Sequence, residues 1–506
     1  MKKLIFLRRV SQGFFLLLFI YILWSTTYPL TGLLPPETFF KTNPSIMLFT
    51  SISERVLLAG LIFAGLMLVL TFIFGRFYCG WVCPLGTMID VTGALKKRKY
   101  IPDNGLNSRI RKGKFIILGV IFIFALAGIQ LAWVLDPMTI VARFVSLNLI
   151  PTVTLLIDRT FVLIIRNFEL YGGFYDLYRG LKTTFLGVNV HYFSNSLIIF
   201  AVFAAVCGGS LFISRLWCRS VCPLGAFYAL VARFSLLRRV VDKCTDCGVC
   251  VEMCRTGAIT GAASYNSGEC ILCMDCIYSC PQKTTRFSFI KRQKAQEGDD
   301  REEGRGLSRK SFLFLLLTSI FALGYKRRNP NMKKGAGPVI RPPAALKEKD
   351  FNDRCIRCGN CMKVCPTNGL QPVMLQAGVE SLWTPALVPE IGYCEYQCTL
   401  CGSVCPTGAI TELSHSRKLT IKLGTAMVDR SICLPWNHKS DCIVCEEHCP
   451  VPDKAIKVTE ERHNGKIFKK PFVDPTLCVG CGICQAKCPV RPDRAIRVDP
   501  STADRL

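Results

Sequence analysis

The spacing of the cysteines between residues 244 and 281 constrains the fold of this 506-residue chain more than any other feature. Two runs share the pattern Cys-x2-Cys-x2-Cys-x3-Cys, and Pro281 follows the second run. In this pattern three thiolates bind one cubane iron–sulfur cluster, and the fourth cysteine of each run binds the neighbouring cluster. Zinc sites instead present cysteine pairs separated by a long gap. The spacing therefore predicts a small α+β domain that holds two [4Fe-4S] clusters.

The crossing pattern assigns each cysteine of these two runs to a cluster. One departure from the usual motif is Arg255, which stands where a proline commonly follows the fourth cysteine. The first cluster is expected to bind Cys244, Cys247, Cys250 and Cys280, and the second to bind Cys270, Cys273, Cys276 and Cys254.

Four further cysteine runs lie between residues 355 and 489, and a proline follows each of them. Two spacings are stretched, Cys394-x3-Cys398 and Cys433-x8-Cys442, which indicates inserted loops without changing the number of ligands. The expected ligands are Cys355, Cys358, Cys361, Cys365, Cys394, Cys398, Cys401, Cys405, Cys433, Cys442, Cys445, Cys449, Cys478, Cys481, Cys484 and Cys488. They predict four more clusters, and thus six [4Fe-4S] clusters in the chain. Spacing alone leaves open whether the four runs pair in order or in a nested arrangement.

Apolar stretches in the first half of the chain predict a membrane domain. Half of all residues are hydrophobic and the mean hydropathy is +0.32. Four stretches approach the roughly 20 residues that a helix needs to cross a bilayer. They are residues 10–28, 56–75, 115–135 and 196–214. Residues 153–166 are shorter and contain two charges, so we expect a helix at the outer membrane surface, with a further span as the alternative.

The distribution of basic residues predicts the orientation of this domain. Residues 76–114 are rich in lysine and arginine, whereas residues 29–54 contain few charges. Because basic loops stay in the cytoplasm, the N-terminus and the loop at 76–114 are expected inside, and residues 136–195 outside. The expected location is the inner membrane of a bacterium. The net charge of +27 does not indicate nucleic-acid binding, because each cluster with four thiolates contributes about −2.

An internal repeat marks the membrane domain as two related helix pairs. Residues 75–86 and 214–225 share an arginine, an aromatic residue and the ending Val-Cys-Pro-Leu-Gly. Each copy contains a Cys-x3-Cys-Pro motif, which supplies Cys79, Cys83, Cys218 and Cys222. These cysteines are interpreted as an additional metal or iron–sulfur site, a thiol/disulfide pair, a contact for the two-cluster domain, or helix-end packing. Cys207 is the one remaining cysteine, and we expect it to be a packing residue.

A charged linker connects the two sets of clusters. Residues 308–313 resemble a twin-arginine export signal in which Lys310 replaces the second arginine, and the apolar segment 311–325 follows. Free thiols form disulfides in an oxidising compartment, so the clusters must be inserted in the cytoplasm. A periplasmic cluster domain would therefore need a signal that exports folded proteins. The basic residues that follow favour the alternative, a buried cytoplasmic helix.

These features predict four parts. Residues 1–240 form an α-helical membrane domain with four transmembrane helices, and residues 241–290 a cytoplasmic two-cluster domain of the ferredoxin type. Residues 291–346 form the linker with the fifth apolar segment, and residues 347–506 a four-cluster ferredoxin-like domain in the periplasm. Short segments such as those at 454–458 and 494–498 predict small strands beside the clusters.

With the two motifs in view, residues 1–290 resemble the NapH/MauN membrane ferredoxins, and residues 305–495 resemble the exported four-cluster NapG/MauM ferredoxins. The chain resembles a fusion of the two. This resemblance implies quinol oxidation, with electrons passed from the quinone pool to a periplasmic reductase or cytochrome. The membrane half is also similar to CcoG and to the C-terminal part of NosR. That similarity implies the alternative function, a maturation or copper-reducing factor that uses the Cys-x3-Cys-Pro cysteines.

Other redox cofactors lack support in the sequence. Only five histidines are present, and no Cys-x-x-Cys-His motif for haem attachment occurs. No glycine-rich fingerprint in a strand–helix context supports direct oxidation of a nicotinamide cofactor. Asp136, Arg143 and His191 could bond a quinol headgroup, although salt bridges at the membrane surface are the simpler interpretation.

Overall fold

The computed structural model describes residues 2–30, 32–96, 104–169, 171–182, 191–242, 244–261, 264–289, 309–328 and 339–506. Half of the predicted linker, at 291–308 and 329–338, lies outside the described residues, as do the basic residues 97–99. The chain divides into two compact units. The first unit comprises residues 1–23, 37–144 and 197–328, and the second comprises residues 24–36, 145–196 and 329–506.

Helices dominate the first half of the chain, and short helices accompany the cysteine runs in the second half. In chain order they are α1 (Lys2–Trp24), α2 (Thr38–Lys41), α3 (Pro44–Glu54), α4 (Leu61–Phe74), α5 (Phe77–Trp81), α6 (Pro84–Ala94), α7 (Asn104–Leu126), α8 (Ala132–Leu135), α9 (Pro137–Phe144), α10 (Ile150–Phe168), α11 (Gly173–Leu181), α12 (Ser196–Phe212), α13 (Leu216–Ser220), α14 (Pro223–Ala232), α15 (Val249–Glu252), α16 (Asp275–Tyr278), α17 (Arg309–Arg328), α18 (Glu348–Arg354), α19 (Asn360–Lys363), α20 (Leu400–Ser403), α21 (His415–Thr420), α22 (Val444–Glu447) and α23 (Ile483–Lys487). A π-helical turn, Val145–Leu149, joins α9 to α10.

The described strands form two-stranded antiparallel sheets beside the cysteine runs. They are β1 (Leu237–Val241), β2 (Thr285–Phe289), β3 (Leu370–Pro372), β4 (Pro385–Leu387), β5 (Thr425–Val428), β6 (Ile456–His463), β7 (Lys466–Val473) and β8 (Ile496–Asp499). The pairs are β1–β2, β3–β4, β5–β8 and β6–β7. The segments predicted at 454–458 and 494–498 thus contribute to β6 and β8. The β5–β8 pair joins the chain before the third cysteine run to the chain after the fourth.

The first unit repeats one order of helices. In each copy a long apolar helix leads into a five-residue helix that contains the first motif cysteine, and a helix that begins at proline follows. These are α4–α5–α6 and α12–α13–α14. Proline suits the first position of a helix because that position needs no backbone N–H donor. Both motifs therefore break the chain between their two cysteines, and the pairs do not lie on one continuous helix.

Within the part of the chain that the structure describes, two helices are long and apolar enough to cross a membrane, by length and composition. They are Lys3–Trp24 and the 32-residue segment Pro137–Phe168, which comprises α9, the π-helical turn and α10. The predicted spans at 56–75 and 196–214 correspond to the shorter apolar helices α4 and α12. The predicted span at 115–135 is not one helix, because α7 ends at Leu126 and Gly128 adopts a left-handed conformation before α8. Four transmembrane helices therefore remain a prediction.

The second unit has its hydrophobic core beside the first of the four cysteine runs. Phe351 and Ala345 are fully buried, and they pack with Ile410 and Ala409 from the segment after the second run. An isolated bridge pairs Ala345 with Ile410. The core thus connects the chain on both sides of two cysteine runs and holds those runs next to each other.

Candidate iron–sulfur centres

Cysteines of the two-cluster domain line a shared cavity in the first unit. Three cysteines of the first run and the last cysteine of the second run surround it together with Arg239 and Pro281. These cysteines are Cys244, Cys247, Cys250 and Cys280. The structure therefore brings together the four residues that the crossing pattern assigns to one cluster.

The other four cysteines of this domain act on one another electrostatically. Burial raises the pKa of Cys270 to about 12, and the charges of Cys254 and Cys276 raise it further. Burial also raises the pKa of Cys276 to about 11, although Arg239 opposes the change. Buried thiols of this kind resist ionisation in the free state, but a positively charged iron core stabilises the thiolate form. Cys254, Cys270, Cys273 and Cys276 therefore fit a cluster better than they fit solvent-exposed redox chemistry.

In the second unit, the first two cysteine runs exchange their fourth cysteines. One cavity is lined by Cys355, Cys358, Cys361 and Cys405. A second cavity is lined by Cys365, Cys394, Cys398 and Cys401. Each cavity thus combines three cysteines of one run with the last cysteine of the other run.

The third and fourth runs repeat this exchange. Their cavities are lined by Cys433, Cys442, Cys445 and Cys488, and by Cys449, Cys478, Cys481 and Cys484. The four runs therefore pair in order, which settles the question that spacing left open. Five sets of four cysteines therefore each line one cavity, as expected if they hold the same kind of group.

Runs with the unstretched spacing share one backbone conformation. In each of them two residues have positive φ, one just before the second cysteine and one just after it. These are Asp246 and Gly248, Leu272 and Met274, Arg357 and Gly359, and Gly480 and Gly482. A short helix then begins at the residue before the third cysteine. A left-handed residue other than glycine costs about 1 to 3 kcal/mol, so the repeated conformation indicates a loop shaped around a ligand.

The two-cluster domain packs directly on the duplicated motif in the first unit. The Arg76 guanidinium donates from Nη1 to the Gly268 carbonyl and to Glu269 Oε2, each at 3.0 Å. The Trp81 indole Nε1 donates to the Leu272 carbonyl at 3.0 Å. Arg76 and Trp81 of the duplicated motif thus contact this domain, and the four interpretations of the motif cysteines stay predictions.

A buried ion triad supports this contact. Glu269 lies between Arg76 and Lys114, and each of the three side chains is at most 4 % exposed. Burial opposes ionisation of Glu269, but the charges of Lys114 and Arg76 outweigh that effect and lower the pKa of the carboxyl below its usual range. This triad could not be predicted from the sequence, because its members are far apart in the chain.

The residues considered for a quinol headgroup have separate structural roles. Asp136 accepts hydrogen bonds from Asn43 Nδ2 at 2.7 Å and from the backbone of Met138 and Thr139, and so caps α9. The Arg143 guanidinium lies 5.4 Å from the centre of the Trp133 ring. His191 belongs to the second unit, where its Nε2 lies 2.8 Å from the Cys365 carbonyl oxygen. Each of the three side chains therefore has a structural contact of its own.

The crossed four-cysteine sets define a class of protein, the ferredoxin-type carriers of single electrons. Two family models, both described as 4Fe-4S binding domain, match the chain. One matches residues 56–102, 196–243 and 401–423, and the other matches residues 239–260, 350–371 and 471–492. No solved structure matches the chain significantly.

Curated relatives identify the family. The methylamine utilization ferredoxin-type protein MauM of Methylobacillus flagellatus is 36% identical over 185 residues, which is 36% of this chain and 76% of MauM. The ferredoxin-type protein NapG of Escherichia coli is 35% identical over 184 residues, which is 35% of this chain and 77% of NapG. The chain belongs to the MauM/NapG family of ferredoxin-type proteins, and it transfers electrons through iron–sulfur clusters.

A third relative covers more of the chain at lower identity. The putative electron transport protein YccM of E. coli is 25% identical over 260 residues, which is 49% of this chain and 61% of YccM. The resemblance to the four-cluster family is confirmed by these comparisons. The fusion with a NapH-type membrane half stays a prediction.

Proposed function

We propose that the chain is a quinol-oxidising electron carrier of the bacterial inner membrane, and that it relays electrons through six [4Fe-4S] clusters to a periplasmic reductase. The observation that supports this most directly is the make-up of the two units. The two-cluster domain shares a unit with the basic loop predicted inside, whereas the four-cluster domain shares a unit with segments predicted outside.

Contacts within the second unit support the outer position of the four-cluster domain. Lys363 Nζ donates to the carbonyls of Trp24 and Thr26, each at 3.0 Å, at the end of α1. Asn368 and Gln371 donate to the Tyr192 carbonyl at 2.9 and 3.2 Å. If the N-terminus lies inside, the end of α1 lies outside, and the domain bound to it lies outside as well.

The same contacts bear on the 32-residue apolar segment that contains α10. Leu147, just before α10, packs against the backbone of Gly359, where a Cβ would lie 3.1 Å from Leu147 Cγ. Tyr192, 24 residues after Phe168, contacts the same cluster domain. The chain before α10 and the chain after it thus reach one domain, which favours the predicted helix at the outer surface over a further crossing of the membrane.

A quinol suits the chemistry of this chain. A quinol releases two electrons and two protons on oxidation, and each cubane accepts one electron at a time. A lipid-soluble donor can reach apolar helices without a soluble partner. The periplasmic acceptor is then a reductase or cytochrome that meets the four-cluster domain.

Two experiments test the proposal. Anaerobic addition of a menaquinol analogue to the purified chain should bleach the visible cluster absorption, as dithionite does. A periplasm-specific reporter fused after Leu506 should be active. Bleaching by dithionite but not by the quinol would contradict the proposed electron donor. An inactive periplasm-specific reporter, together with an active cytoplasm-specific reporter at the same position, would contradict the proposed orientation.

The alternative function is a maturation or copper-reducing factor. Burial of Cys79, Cys83, Cys218 and Cys222 in the membrane half keeps this alternative open. It predicts reduction of Cu(II) by the prereduced protein that is lost in Cys79→Ser, with no reduction of the clusters by quinol.

A further inference from the structure

The four cysteines of the duplicated motif lie buried in the first unit, between two helix pairs and outside both ferredoxin-type cluster sets. Each is between 4% and 8% exposed. Cys79 and Cys218 each lie in a five-residue helix, and Cys83 and Cys222 each precede the proline that begins the next helix, so the two copies place their cysteines equivalently. Neither the proposed relay nor the packing of the helices requires four thiols at this place.

Each copy of the motif extends its arginine into the other copy. Arg215 Nη1 donates to the Cys79 carbonyl at 2.8 Å. A Cβ placed on Gly225 would lie 3.0 Å from Arg76 Nη2 and 3.4 Å from Cys222 Sγ. A Cβ on the equivalent Gly86 would lie 2.8 Å from the Cys79 carbonyl. The two glycines thus let the guanidinium groups approach the cysteines, and the arrangement is repeated with the internal symmetry of the sequence.

Several donors beside these cysteines lack an acceptor among the described residues. The Nε and Nη2 atoms of Arg76 are buried without a hydrogen-bond partner, and so are Tyr228 Oη and Trp217 Nε1. Arg76 is 1 % exposed, so its donors do not reach bulk solvent. Buried donors are normally paired, and unpaired ones indicate that an acceptor belongs there.

The surrounding ion pairs leave an excess of positive charge. One group holds Arg76 and Lys114 with the single carboxylate of Glu269. The other group links the cations Arg8, Arg215 and Arg255 to the carboxylates Asp90 and Asp275. Each group therefore has one more cation than it has carboxylates. Four thiolates around an oxidised cubane leave about two negative charges, which matches this excess.

We infer that Cys79, Cys83, Cys218 and Cys222 hold one more iron–sulfur cluster, in addition to the six of the proposed relay. Among the described residues, no three Cys, His, Asp or Glu side chains lie close enough to bind a single metal ion. The cysteines of the ferredoxin-type sets are also too far apart to bind a single metal ion, because they are spaced to surround an inorganic core. The inference concerns cofactor content and does not depend on the electron donor.

The added cluster would be in electronic contact with the second cluster of the two-cluster domain. The backbone of Gly80 packs so closely on the Ile271 carbonyl that no Cβ would fit between them. Trp81 bonds the next carbonyl, and both carbonyls belong to the loop between Cys270 and Cys273. One electron can then pass between the two centres, so that one is oxidised and the other reduced without any bond or proton being exchanged.

The test compares the iron content of the full chain, purified without oxygen, with that of a Cys79→Ser/Cys218→Ser variant. We expect the wild type to hold about 28 iron atoms if the added cluster is a cubane, or about 26 if it is a [2Fe-2S] cluster. The double variant should hold about 24 and lose one paramagnetic signal after dithionite treatment. Cys207→Ser is the control, because Cys207 is buried in α12 but belongs to neither motif, and its iron content should stay at the wild-type value.

Equal iron content in the wild type and the double variant would overturn the inference. So would stoichiometric zinc or copper at these cysteines in the wild type. If the double variant does not accumulate, the wild type alone decides, since about 24 iron atoms per chain with full occupancy of the ferredoxin-type sites excludes a further cluster. Failure of quinol oxidation would leave these iron counts unchanged, so the two proposals can fail separately.

Discussion

At the scale of single residues, the cluster loops require positive φ values, which residues with a side chain disfavour. Left-handed φ values recur beside the second cysteine of the unstretched runs, at non-glycine residues as well as at glycines. The pattern Cys-x2-Cys-x2-Cys predicts the ligands. The conformation of the intervening residues could not be predicted from it, because Leu272 and Arg357 do not favour φ > 0.

Gly480→Ala should destabilise the four-cluster domain more than the same replacement at a glycine that also has positive φ but has open space around it. At Gly480 (φ 68°) a Cβ would collide with the carbonyl of Gly424. At Gly465 (φ 78°) a Cβ would meet nothing within 4 Å, so Gly465→Ala is the matched control. We expect a cost of about 1 to 2 kcal/mol for the control and about 1 to 3 kcal/mol more for Gly480→Ala. Denaturant midpoints followed by cluster absorbance measure both, and equal midpoints would contradict the structure.

Glu269→Gln should weaken the contact between the two-cluster domain and the duplicated motif. The change leaves Arg76 and Lys114 buried beside a neutral amide, which costs about 3 to 5 kcal/mol for a buried pair. Glu252→Gln, an exposed acid of the same domain, is the control and should have little effect. Thermal release of iron from this domain in detergent measures the difference.

The same carboxylate predicts a pH dependence. Because the pKa of Glu269 in the folded chain is below its ordinary value, its contribution to stability is complete above about pH 4.5 and is lost as the pH falls further. Acid also attacks the clusters, so the comparison is between wild type and Glu269→Gln. The stability difference between them should shrink as the pH falls below 4.5, and a constant difference would contradict the assigned shift.

At the scale of elements, the crossing of fourth cysteines is the feature that pairs the runs. Within residues 244–280 this crossing could be predicted, because only two runs are available. Among the four later runs it could not, because all four have equivalent final cysteines. The long-range contacts that decide it, Ala345 with Ile410 and β5 with β8, are not encoded in the spacing.

Cys405→Ser tests the pairing in order. It should remove a ligand from the cluster held by the first run, because Cys405 lines the cavity of Cys355, Cys358 and Cys361. Cys449→Ser should instead affect the cluster of the fourth run. Dithionite-reduced paramagnetic spectra of Cys405→Ser should change at the same signal as those of Cys355→Ser. A nested pairing would instead make Cys405→Ser change the signal that Cys445→Ser affects.

The membrane helices show where periodicity and hydropathy fail. The apolar run at 115–135 predicted one span, but Gly128 separates α7 from α8. The surface helix predicted at 153–166 stays a prediction, but its bounds did not indicate the 32-residue apolar segment that α9, the π-helical turn and α10 form together. Hydropathy is averaged over a window of residues. It therefore indicates which stretches are apolar but does not locate the ends of the helices.

At the scale of the whole molecule, Lys363 connects the cluster domain to the chain at the end of α1 within the second unit. Burial lowers the pKa of Lys363 to about 7, and its Nζ satisfies two backbone carbonyls. Lys363→Met should cost about 1 to 3 kcal/mol, because it leaves those carbonyls without this donor. Lys487→Met, an exposed lysine near the equivalent cysteines of the fourth run, is the control. Urea midpoints of the four-cluster signal measure both, and similar values would contradict the role of Lys363.

The second unit combines the chain near residue 24 with the chain beyond residue 329. During synthesis, the segment that follows α1 emerges early, but Lys363, which donates to the carbonyls of Trp24 and Thr26, is made only in the last third of the protein. A truncated product would therefore leave that early segment without these two hydrogen bonds. Maturation of the end of this protein is in this way a condition for completing the structure at its beginning.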